Sequence, residues 1–143
     1  MPTINPPDTV PQDIQKEMKE TFGLVPSFMR AIPKEQAQRF WHTMRDFQLS
    51  DKTALDPKTK ELIGLGVAAQ IPCHYCTSFH SEAARLHGAS EQEIQEAIYM
   101  AGFTRQASTI LNGAEVDRNT FDKELKQIVE HLKKQGQAVT VGR

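Results

Sequence analysis

Two prolines, Pro57 and Pro72, bracket a segment whose middle is apolar on nearly every face: Leu62-Ile63-Gly64-Leu65-Gly66-Val67-Ala68-Ala69. Asp56 suits an N-cap and Pro57 the first helical position, so a helix opens here. It runs to about Ile71, because the residue before a proline is pushed out of α conformation. A helix without a polar side has to lie centrally or against another subunit. Gly64 and Gly66 each cost roughly 1 kcal/mol relative to alanine in a helix interior. Close approach of a second helix would offset that cost. The rest of the chain must be built to cover this rod.

What surrounds it also reads as helix. Asp13 to Phe22 is a short amphipathic helix ending at Gly23, and Ser27 can cap a brief one through Met29. Pro33 opens a helix to about Leu49, with Ala37, Phe40, Trp41, Met44 and Phe47 at three- and four-residue spacing. A cysteine-bearing helix follows Pro72 and stops at Gly88. Ser90-Glu91-Gln92-Glu93 is a capping box that opens a helix through about Ala101. Two more helices fit Thr104–Asp117 and Asn119–Gln135. The only alternating run that could be a strand is Ala138–Val141. The expected fold is all-α: one helical domain over residues 12–135, with six to eight helices. An extended proline-rich arm (1–11) precedes it and a flexible tail (136–143) follows.

Composition narrows the partners. A net charge of −1 over 143 residues gives no electrostatic case for nucleic acid or an anionic membrane. The longest apolar run is too short to span a bilayer, and no charged n-region with an apolar stretch opens the chain. A cytoplasmic protein is expected. The chain has two cysteines, Cys73 and Cys76, placed as a C-x-x-C pair. In a reducing compartment such a pair is more often catalytic or metal-binding than structural.

The pair has the geometry for chemistry. Side chains three residues apart on a helix lie roughly 5–6 Å apart at Cβ, and a disulfide needs Cα atoms roughly 4.4–6.8 Å apart. His80 is four residues after Cys76 and shares its helix face, where it can take or share the thiol proton. Glu61 shares a stripe of the preceding helix with Leu65, Ala68 and Ala69, so its carboxylate points inward and needs a partner. If the chain reverses at Ile71-Pro72, His80 returns about 10–11 Å along the axis and Cys76 about 4–5 Å. His80 then lies between the carboxylate and the sulfur. The expected order is Glu61, His80, Cys76: an acid orienting an imidazole that activates a thiol.

Glu61, eleven residues, Cys73-x-x-Cys76, three residues and His80 resemble the signature of the alkylhydroperoxidase D-like proteins of the carboxymuconolactone decarboxylase-like superfamily. Phe22-Gly23-Leu24-Val25-Pro26 looks like that family's N-terminal turn. Gly88-Ala89-Ser90 with Glu93-Ile94 looks like the loop and helix after its motif. The resemblance covers roughly residues 20–115. It implies an all-helical fold around an antiparallel helix pair, in trimers, dimers or hexamers. It also implies hydroperoxide reduction or thiol–disulfide exchange, with no cofactor beyond the thiols and with an external dithiol as electron donor. Carried onto this chain, Cys76 attacks the hydroperoxide, Cys73 resolves the sulfenic acid, and His80 with Glu61 relays protons. The best-known members have a histidine directly before the second cysteine. Here Tyr75 stands there, and His74 lies one place earlier.

Other readings compete. Zinc could take Cys73, Cys76 and His80 with His87 or Glu61, but structural zinc sites usually bring a second paired motif. A lactone decarboxylase like the superfamily's namesake would have no need of the cysteine pair. A non-enzymatic redox sensor would. Glu61 by itself reads as a first-turn glutamate favoured by the helix dipole, His87 as a helix-end residue, and His42, His74 and His131 as surface or interfacial histidines. Gly64-x-Gly66-x-x-Ala69 matches a dinucleotide fingerprint only on paper, since no strand precedes it.

Overall fold

A computed structural model describes residues 9–136, which form six α-helices and no strand. The segment Ala138–Val141, the first eight residues and nearly all of the expected tail lie outside the described residues. In order, the helices are α1 (Gln12–Phe22), α2 (Lys34–Thr43), α3 (Pro57–Gln70), α4 (His74–Leu86), α5 (Glu91–Gly113) and α6 (Arg118–Lys134). A 3-10 turn (Ser27–Ala31) precedes α2, and a π-helical turn (Met44–Gln48) follows it. The described residues divide into two compact units at Ile98.

The local signals explain most of these boundaries. Gly23 takes φ 78° after α1 and returns its N–H to the Lys19 carbonyl at 3.0 Å. Asp56 caps α3 by accepting from the Thr59 N–H at 2.9 Å, with Pro57 in the first turn. Gly88, at φ 83°, ends the turn after α4. The capping box closes reciprocally: the Ser90 N–H donates to Glu93, and the Glu93 N–H donates to the Ser90 hydroxyl. Glu93 also accepts from Lys58 at 2.7 Å, which ties the start of α5 to α3 and lowers the Glu93 carboxyl pKa.

Two elements differ from the sequence expectation. The helix from Ser90 was expected to stop near Ala101 and a new one to start at Thr104. Instead α5 runs unbroken to Gly113. Gly102, which lies between the two expected helices, does not interrupt it, because a lone glycine is tolerated within a helix at modest cost. The helix from Pro33 does not stay α to Leu49. After Thr43 its hydrogen bonding slips by one residue, and the Leu49 N–H donates to the Met44 carbonyl at 2.9 Å. The expected stripe is not kept: Ala37 and Trp41 are fully buried, but Phe40 is exposed within α2, and Phe47 is exposed beyond the slip.

The unit up to Ile98 has two small cores. In the first, Val10, Ile14, Met18, Met29, Ala37 and Trp41 are buried together, and Phe22 meets Trp41 edge-on at 5.4 Å. Val10 thus anchors the end of the proline-rich segment. The Trp41 indole donates to Glu17, which Arg45 also meets in an ion pair. These donors, the Trp41 N–H foremost, hold the Glu17 carboxyl below its ordinary range. The second core joins Leu65, Ala84 and Ile94, with Leu62, Ala89 and Ala97 against it. It fixes α4 beside α3.

On α3, Lys60, Glu61, Leu65 and Ala68 are buried. Ala69 is exposed, not part of the inward stripe: at about 100° per residue it has rotated well off the Glu61–Leu65 line. Ile63, Val67 and Ile71 form an exposed apolar row on the same helix. In the unit after Ile98, α6 exposes Phe121, Leu125, Ile128 and Val129 on one side. Among the described residues, no helix is long and apolar enough to cross a membrane.

Candidate active site

Pro72 ends α3, and the chain turns at once into α4. The Cys73 N–H donates back to the Ala68 carbonyl at 3.0 Å, so the reversal is tight and the two helices run antiparallel. Cys73 stands at the N-cap of α4 in an extended conformation, and its sulfur accepts the Cys76 N–H at 3.2 Å. Cys76 is in the first turn. The two cysteines form a disulfide with Cα atoms 5.3 Å apart. Their position at a helix N-terminus favours a thiolate once the bond is reduced, because the unpaired N–H groups there stabilise an anion.

One turn further along α4, His80 meets Glu61 across the helix pair. The His80 Nδ1 lies 2.6 Å from Glu61 Oε2. The carboxylate is fully buried and the imidazole is about one-fifth exposed. Glu61 is therefore not a cap, since Asp56 does that work. Gln48 Nε2 also donates to both Glu61 oxygens, at 3.2 and 3.3 Å. Beneath the imidazole lies Gly64. A Cβ there would come within 2.6 Å of His80 Nδ1 and 2.7 Å of Nε2. The glycine lets a ring pack directly on the helix backbone.

Lys60 is buried beside Glu61 but turns the other way. Its ammonium donates to the carbonyls of Phe47 and Ser50 and to the Thr53 hydroxyl, and lies 5.3 Å from the centroid of the Phe47 ring. Three oxygens and an aromatic face satisfy its charge. The effect is to fasten the loop between the π-helical turn and α3.

Cys76 and His80 share a cleft of about 590 Å³. Phe28, Phe79 and Tyr75 give it apolar walls, and Gln48 contributes a polar one. Cys76 lines the cleft and Cys73 does not. Tyr75 is almost fully exposed at 91%. His74 is exposed as expected and borders the same cleft; His87 caps the end of α4.

All four residues singled out from the sequence thus lie on one helix pair. Two others escaped notice, and the part of a third was seen only in outline. Gln48 sits on the π-helical turn, whose slipped register no spacing rule anticipates. Lys60 carries no local sequence signal that marks it as buried. Gly64 was expected to permit close helix approach, but not to seat a particular ring. Among the described residues, no three histidine, cysteine, aspartate or glutamate side chains are arranged to hold a metal ion.

Comparison with known proteins agrees with this architecture. A protein from Paracoccus denitrificans described as "Uncharacterized protein 4 in cox locus" is 42% identical over 52 residues. That alignment covers 36% of this chain and 47% of the relative, so the match spans about half of that protein's length. The crystal structure of the alkylhydroperoxidase AhpD core from Rhodospirillum rubrum superposes with a TM-score of 0.66 at 24% identity. It covers 74% of this chain and 80% of that one, and it establishes the fold. The profile of the Carboxymuconolactone decarboxylase family matches residues 35–118, from α2 through α5 and including the whole helix pair. The chain belongs to the carboxymuconolactone decarboxylase family, in an AhpD-like all-helical form.

Proposed function

We propose that this chain is a thiol-dependent peroxidase and disulfide oxidoreductase that reduces hydroperoxides. The observation carrying the proposal is the Cys73–Cys76 disulfide at the start of α4, with His80 on Glu61 one turn away and Cys76 in the same cleft. In the reduced protein His80 takes the Cys76 proton, while Glu61 holds the imidazole by Nδ1 so that Nε2 serves as base. The Cys76 thiolate attacks the outer peroxide oxygen and the O–O bond breaks. The proton held at His80 goes to the departing alkoxide, which leaves as an alcohol. Cys76 becomes a sulfenic acid. Cys73 then attacks that sulfur, a disulfide forms, and water leaves. An external dithiol returns two electrons by exchange.

A disulfide within the first turn of α4 is what the resting oxidised state of this cycle requires. A lactone decarboxylase has no use for it. The cycle suits the cytoplasm, where dithiol donors are maintained, and uses no cofactor beyond the two thiols. The exposed row Ile63, Val67 and Ile71, and the α6 row from Phe121 to Val129, favour a homo-oligomer in which copies of the chain cover them.

Supplying reduced protein with cumene hydroperoxide and dithiothreitol tests the reading. The expected result is many turnovers per chain, with zinc well below one equivalent in freshly purified reduced protein. One zinc per chain without turnover would overturn it in favour of a metal-binding protein.

A further inference from the structure

We propose that Gln48 is a positioning residue of this relay, holding the buried Glu61 carboxylate aimed at His80. The inference rests on the redox reading above and adds a member to its machinery. Glu61 is fully buried, and a bare carboxylate in such a place is costly unless hydrogen bonds replace its water. Its observed donors come from two sources, His80 on α4 and the amide of Gln48. Gln48 alone reaches both oxygens.

The surroundings are built to bring it there. The π-helical turn offsets the chain by one residue after α2 and leaves Gln48 at its last position. Such turns recur at functional sites because they re-aim one side chain without ending the helix. Lys60 then pins the following loop through the Phe47 and Ser50 carbonyls. Gln48 also lines both the Cys76 cleft and a second cavity of about 300 Å³ bordered by Ile32, Phe40 and Met44.

A neutral amide suits the task. It donates to the carboxylate but brings no positive charge to compete with the imidazolium for it. The other ionisable groups nearby are occupied or across the cleft. Lys60 is bound to the loop; Arg45 on the same turn pairs with Asp46 and with Glu17; His74, Tyr75 and Cys76 line the cleft from α4. With Gln48 removed, Glu61 has one donor fewer and attracts the His80 imidazolium more strongly. The pair then keeps its proton to higher pH, and the neutral imidazole needed as base becomes scarcer.

An NMR titration of the His80 imidazole in the disulfide form tests this without relying on turnover. Gln48→Met keeps the length and apolar stem but removes the donor. Its titration midpoint should move upward. Gln48→Glu adds a second carboxylate and should move it further. The acid limb of hydroperoxide kcat/KM should shift in the same order. A merely structural role would lower activity at every pH and leave both midpoints in place. Midpoints unchanged in the two variants would overturn the proposal. Failure of the unaltered protein to consume hydroperoxide would overturn the redox reading instead, and the imidazole titration would still report on Gln48.

Discussion

Hydroperoxide turnover is expected to fall to the uncatalysed background in Cys76→Ser, while Cys73→Ser is expected to complete one turnover and stop. The two residues are chemically identical, so the difference has to come from position. Cys76 lines the cleft and stands one helical turn before His80; Cys73 is the N-cap and lies outside the cleft lining. A serine at position 76 has no accessible anion near neutral pH and cannot open the O–O bond. A serine at position 73 leaves the attack intact but removes the thiol that condenses with the sulfenic acid. That variant should show a burst of one equivalent of alcohol, and its oxidised Cys76 should be trapped by dimedone. Without a resolving thiol it should also pass to sulfinic acid under excess peroxide. Full turnover in Cys76→Ser would remove the thiol mechanism; full turnover in Cys73→Ser would mean that the external donor resolves the sulfenic acid itself.

Gly64→Ala should cost at least about tenfold in kcat/KM although it adds a single methyl group and improves helix propensity by roughly 1 kcal/mol. The added carbon would sit 2.6–2.7 Å from both ring nitrogens of His80, far inside contact distance. The imidazole is not the loose end of a flexible chain, because it is tethered through Nδ1 to a buried acid. It has to rotate away, which breaks the contact to Glu61 and leaves that carboxylate with Gln48 alone. Overpacking of this kind usually costs about 1–3 kcal/mol, so the gain in propensity should be offset and thermal stability should change little or fall. Steady-state kinetics combined with a thermal melt checks the outcome. Unaltered kinetics would show that the ring can shift without loss and that its exact seat is unimportant.

Much of the site could be read from the chain because its parts are governed by local rules. Pro57 and Pro72 fix the limits of α3, the C-x-x-C spacing fixes the sulfurs, and a four-residue step puts His80 on the Cys76 face. With a reversal at Pro72, the helical rise puts His80 between Cys76 and Glu61 along the axis, and the structure has His80 and Glu61 2.6 Å apart. The caps at Asp56 and Ser90 were equally local. What escaped depended on tertiary context. Nothing in Met44-Arg45-Asp46-Phe47-Gln48 signals a slipped register, so Gln48 could not be aimed, and Phe47 was assigned to a stripe that it leaves. Lys60 is buried because a folded loop offers it three oxygens, a fact invisible before the loop is placed. The helix from Ser90 was expected to end near Ala101, and α5 continues past that point to Gly113.

The central claim is that a buried acid and its imidazole set the reactivity of one sulfur. The direct measurement is the pH dependence of iodoacetamide alkylation at Cys76 in the reduced protein, resolved by mass spectrometry, with and without His80→Ala. Loss of the imidazole should move the rise in alkylation rate toward the range of an ordinary thiol, about 8.5. Superimposable profiles for the two proteins would contradict the account, leaving Cys76 activated by its helix position alone.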